Sequence, residues 1–181
     1  MCTLVLEEYP ELKQKIDQKI EKDVLKNNQN YSKATNNSIE QCISEAERFF
    51  NDKHYDGALK IVEDTLFEYS NYLHKNSNKD DVKLNHNHLK LIYGESQICS
   101  IFDEYQFNLN FPKENKEKIV DTYKIADKCI DDLKSYTAKK YDDKFKVVNL
   151  LKRARQLKDN SERNIKIVDY LINYVNSTKI H

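Results

Sequence analysis

The chain has 181 residues, 30 basic and 30 acidic, so its formal net charge is zero and offers no phosphate-neutralising surplus for general nucleic-acid binding. A third of it is charged (33%), yet 39% is apolar and 19 residues are Tyr or Phe (12 and 7), which is too apolar for a disordered chain and enough for one real core. With two glycines (Gly57, Gly94) and two prolines (Pro10, Pro112), it lacks the turns of all-β or doubly wound α/β folds and the material for a phosphate-cradling loop.

Pro10 suits the first turn of a helix, and Leu12, Ile16, Ile20 and Val24 follow at every fourth residue. That spacing predicts a helix over 10–26 with one narrow apolar stripe. Leu4, Val5, Leu6 and Tyr9 precede it as an arm. Residues 26–38 are polar and Asn-rich and read as a linker, with Asn37 or Ser38 capping the next helix. Ile39, Cys42, Ile43, Ala46, Phe49 and Phe50 predict a helix over 39–52, broken at 51–54. Tyr55, Ala58, Val62, Thr65, Leu66 and Leu73 predict another over 55–74, and the short break folds the two into an antiparallel hairpin.

Residues 75–87 read as a polar loop and 88–106 as a helix on Leu89, Ile92, Ile98 and Phe102. After an irregular connection at 107–111, Pro112 opens a helix reaching about 136, carried by Ile119, Tyr123, Ala126 and Ile130. A helix over 141–158 ends at Asp159-Asn160-Ser161, and a last one covers 162–176. The expectation is an all-α protein of about seven helices. Residues 1–36 form an N-terminal helix and polar linker, a cap or clasp, and 37–181 a helical domain.

The hairpin at 39–70 resembles a tetratricopeptide repeat. Ala46, Phe49, Tyr55, Ala58 and Thr65 stand at the motif's small and aromatic places, with Val62 in the large slot. Small residues let two helices approach and large ones plug the remaining gaps. Cys42, Glu45 and Ser70 depart from the pattern, and two later hairpins within 88–176 match it more weakly. The resemblance implies antiparallel hairpins stacked as a right-handed superhelix. The first helix of each hairpin would line a partner groove, showing Glu40, Ile43, Glu47, Phe50 and Asn51 from one repeat and Val148, Leu151, Arg155 and Lys158 from another. Members that clamp the C-terminal carboxylate of Hsp90 or Hsp70 use Lys and Asn there. Ile43 and Glu47 occupy those places here, so that class is disfavoured.

Chemistry is sparse. His86 and His88, with His74 upstream, lie in the expected polar loop without a Cys or His-Glu-x-x-His frame, and read as solvent-facing rather than metal-binding. Asp131-Asp132 and Asp142-Asp143 are adjacent and so diverge on a helix. No nucleophile elbow, phosphate loop or kinase motif occurs, so neither an enzyme nor a cofactor is expected. Cys2, Cys42, Cys99 and Cys129 are widely spaced and read as reduced thiols of a cytoplasmic or nuclear protein. No apolar run is long enough to span a membrane, and the acids near Met1 argue against a signal peptide.

Charge is uneven. Residues 40–72 hold eight acids and three bases, and 139–181 eleven bases and five acids. Lys152, Arg155 and Lys158 form one basic ridge on a helix. The reading is an adaptor or scaffold subunit that binds another protein in a helical-repeat groove. The alternatives are an RNA-associated helical repeat using the basic ridge, a helical-bundle subunit of an obligate complex, and an enzyme on an unfamiliar scaffold.

Overall fold

A computed structural model describes residues 10–105, 113–136 and 141–178, giving the backbone alone at 10–13, 16, 104–105 and 141–142. The expected arm, the connection at 107–111, Cys2 and Pro112 lie outside the described residues. Within them the protein is all-α, with no strand and six helices rather than seven. These are α1 (Pro10–Asn51), α2 (Tyr55–Glu68), α3 (Ser70–Lys75), α4 (Asp80–Tyr105), α5 (Lys113–Lys134) and α6 (Tyr141–Thr178).

The chain divides into two compact units, Met1–Ser38 and Ile39–His181. The first contains most of α1. The polar stretch at 26–38, expected as a linker, is helical. It contains neither Pro nor Gly, and Asn, Gln and Ser cost only a few tenths of a kcal/mol each in a helix, on the order of 0.5. Thr35 Oγ1 donates to the Tyr31 carbonyl at 2.9 Å and Ser38 Oγ to that of Ala34 at 3.1 Å, so these hydroxyls are spent inside the helix. Every side chain from 17 to 31 is exposed, including Ile20, Val24, Leu25 and Tyr31.

The second unit begins with the end of α1, residues 39–51. The expected hairpin forms: Ala46 and Ala58 are both 0% exposed, in one core with Ile39, Ile43, Val62, Leu89 and Ile92. Gly57 shares the task, since a Cβ there would lie 2.4 Å from the Phe49 ring. The turn is a helix C-cap in which Lys53 takes the left-handed conformation at φ 61°. His54 N–H bonds the Phe49 carbonyl (2.8 Å) and Lys53 N–H that of Phe50 (2.9 Å), as a Schellman motif requires. The His54 and Phe49 rings, 6.2 Å apart, close it.

The polar run ahead of residue 88 also turns out helical from Asp80, so His86 and His88 sit on a packed helix rather than in a loop. Val82 and Leu84 are buried there, and Asn85 and Asn87 find bonds: Asn85 to Glu40 and Lys146, Asn87 Nδ2 to the Lys83 carbonyl at 2.9 Å. The break expected at 159–161 is absent. Ser161 is fully buried within α6 and donates to the Leu157 carbonyl at 2.7 Å instead of capping a new helix.

The end of α1, α4 and α6 lie side by side and run the same way, because Glu40, Asn85 and Lys146 meet at one level and Glu47, Glu95 and Arg153 at the next. α2 runs against α1 and α4. α5 runs against α6, as the pairs Lys116–Asp169 and Asp127–Lys158 require. A second core joins α4, α5 and α6 through Leu91, Ala126, Cys129, Leu133, Ala154 and Leu157. Gly94 permits that crossing, since a Cβ there would lie 2.8 Å from Leu157 Cδ2 and 3.1 Å from Thr122 Cγ2. Ile101, Ile119 and Val168 form a third cluster.

Candidate functional site

Two of the three parallel helices carry charges spaced by two turns, Glu40 and Glu47 on α1 and Lys146 and Arg153 on α6. Residues seven apart share a helix face, so each pair points toward α4. At the lower level Lys146 Nζ donates to Asn85 Oδ1 (3.1 Å), and Asn85 Nδ2 donates to Glu40 Oε1 (3.4 Å).

The upper level is denser. Arg153 makes a two-pronged bond to Glu95, Nε to Oε1 at 3.0 Å and Nη2 to Oε2 at 2.6 Å. Its Nη1 donates to Glu47 Oε1, and His88 Nε2 lies 2.7 Å from the same oxygen. All four side chains are between 17% and 26% exposed, so they interact in a partly desolvated setting where charge-assisted bonds are strong. Burial pushes the Glu47 carboxyl up, but the His88 and Arg153 bonds outweigh it and hold the group down at about 2. Burial would lower the Arg153 value, and the bonds and charges of Glu95 and Glu47 instead raise it.

Above this cluster opens a groove of about 430 Å3. α1 contributes Phe50 and Asn51 beside Glu47, and α4 contributes Ile98 and Cys99 beside Glu95. α6 contributes Gln156, Leu157 and Asn160 beside Arg153. Phe50 leans on Tyr55, with ring centroids 5.6 Å apart. Burial pushes the Cys99 thiol up, against an opposing bond from Tyr55. A protonated thiol is a poor nucleophile, and a carboxylate held at about 2 is a poor base at neutral pH. The groove offers contact chemistry: apolar walls, an amide rim and a charged floor. Among the described residues, no group of three or more His, Cys, Asp or Glu side chains is placed to hold a metal ion.

The structure brings Glu47, Phe50 and Asn51 together in this groove and scatters the rest of the expected set. Ile43 is a correction: it is 5% exposed and belongs to the core, because it shares a stripe with Ile39 and Ala46. Glu40 is exposed at the lower level with Asn85. Val148 is 62% exposed and lines no part of the groove, and Leu151 packs on the α4–α6 core. Arg155 is two residues from Arg153, about 200° around the helix, and exposed. Lys158 pairs with Asp127 at 2.6 Å and lies 5.4 Å from the Tyr123 ring centre. The basic ridge is thus Lys152 and Arg155 in solvent, with Lys158 already neutralised.

Sequence reasoning missed Glu95, Arg153, Gln156 and Asn160. The signal available was the seven-residue recurrence of charge, Glu40 with Glu47, His88 with Glu95 and Lys146 with Arg153. Comparison of the chain with protein-family models, with curated proteins and with solved structures found no match.

Proposed function

We propose that this protein is a non-enzymatic adaptor or scaffold subunit that holds a segment of another protein in the groove between α1, α4 and α6. The groove itself carries the reading: its apolar side chains and its rim amides, Asn51, Gln156 and Asn160, which are exposed and make no side-chain hydrogen bond among the described residues, suit a peptide, which offers both side chains and backbone hydrogen bonds. The alternation of parallel α1, α4 and α6 with the opposed α2 and α5 supports a stack of hairpins of tetratricopeptide type as the frame. No described helix is long and apolar enough to cross a membrane. The free thiols of Cys42, Cys99 and Cys129 suit a cytoplasmic or nuclear setting. The ridge favours RNA less, because Asp127 cancels the charge of Lys158.

Affinity purification of the tagged chain from its native source tests the proposal. Leu151→Glu is a poor probe, since Leu151 supports a core. Phe50→Ala and Gln156→Tyr are better, one removing a wall and the other filling the groove. A stoichiometric partner should be lost with both, with circular dichroism unchanged. Full retention of that partner by both folded variants defeats the proposal.

A further inference from the structure

The floor of the groove constrains what enters it. Its charged lining is two carboxylates, Glu47 and Glu95, and one guanidinium, Arg153, beside the neutral Cys99 thiol. The Arg153 fork is spent on Glu95 through Nε and Nη2, and Nη1 on Glu47, so little of it remains for an incoming anion. With the His88 imidazole that bonds Glu47 in its neutral form, the acids outnumber the base by one. Among the described residues Glu47 Oε2 accepts no hydrogen bond, which leaves an acceptor at the floor. The walls, Phe50, Ile98 and Leu157, match the methylene stem of a long cationic side chain. Exposed Asn51, Gln156 and Asn160 at the rim can bond the backbone on either side of it.

We infer that the groove selects a partner segment carrying a Lys or Arg, whose charged head reaches Glu47 and Glu95 while its stem lies along Phe50, Ile98 and Leu157. This rests on the adaptor reading and adds the partner's chemistry to it. A segment presenting a carboxylate at that point meets the surplus acid and is rejected. The attraction is electrostatic at a half-open site, so binding weakens as salt rises.

The test is selection of a randomised short-peptide library on the full chain, followed by fluorescence anisotropy with synthetic peptides. These carry Lys, norleucine or Glu at the enriched position. The expected result is enrichment of Lys or Arg at one position, with the norleucine peptide about tenfold weaker and the Glu peptide weaker still. Asn160→Lys puts a competing ammonium at the rim on an exposed helical position. It should weaken the Lys peptide about tenfold with circular dichroism unchanged, and Asn160→Glu should strengthen it. Peptides that Gln156→Tyr displaces, but that show no preference for a cation or prefer an acid, overturn this inference and leave the adaptor reading standing. If no selected peptide is displaced by Gln156→Tyr, both fall.

Discussion

Arg153 holds together groups that would otherwise repel. Glu47 and Glu95 lie on different helices and are mostly withdrawn from water, and the guanidinium between them makes their charge tolerable. The consequence appears in acid. Glu47 sits at about 2 in the fold against an ordinary 4.5, so the unfolded chain takes up its proton first as pH falls. Its contribution is full above 4.5 and is lost on the way down to about 2. His86 behaves similarly at a higher pH. Burial, aided by the charges of Lys90 and Lys128 and opposed by Asp132, holds its imidazole at about 4 against 6.5. The unfolded chain binds that proton first, so stability present above 6.5 is lost as pH falls through 4. Urea midpoints measured against pH should therefore decline in two stages. His86→Gln should flatten the upper stage and Glu47→Gln the lower. A wild-type curve that stays level between 6.5 and 4 contradicts this account.

At the scale of elements, the turn between α1 and α2 is built around one unfavourable residue. Lys53 at φ 61° pays for a conformation that glycine adopts freely, roughly 1 kcal/mol for a side chain with a Cβ. Lys53→Gly should raise the unfolding free energy by about 0.5–1 kcal/mol in urea titration; a loss of stability would mean that the lysine side chain does more than cap. This hairpin was the most legible part of the sequence, because Ile39, Ile43, Ala46, Ala58 and Val62 recur with helical period and all face one core. Helix ends were less legible. The runs at 26–38, 80–87 and 159–161 carry turn-forming Asn, Asp and Ser, but the bonds those side chains would offer a turn go elsewhere. Ser161 bonds back along its own helix, and Asn85 reaches two neighbouring helices. The site was legible only in part, for a related reason. Glu47, Phe50 and Asn51 follow from the face of one helix, whereas Glu95 and Arg153 become site residues only once α4 and α6 lie beside it. Local periodicity carries no information about that placement.

For the whole molecule, three apolar clusters lie between Ile39 and Val168, and the fifteen or so consecutive exposed positions at 17–31 hold none. Replacing the exposed Ile20, Val24 and Leu25 together with Gln should therefore cost less than about 1 kcal/mol, a drop of roughly 2–4 °C in the thermal midpoint followed by circular dichroism. A larger loss would show that this stripe is buried in solution after all. The same three-helix seam raises a question of alignment that α6 answers internally. Its sequence nearly echoes itself after seven residues, with Lys146, Val147 and Leu150 answered by Arg153, Ala154 and Leu157. Sliding α6 by two turns would set Lys146 where Arg153 now sits and Leu150 where Leu157 sits, so neither charge nor the leucines forbid the mistake. Ala154 does. It is completely enclosed, and the slide would force the larger Val147 into its place. A single methyl-sized slot thus acts as the key that keeps the helices in step, and exchanging Val147 with Ala154 would cut that key for the wrong lock.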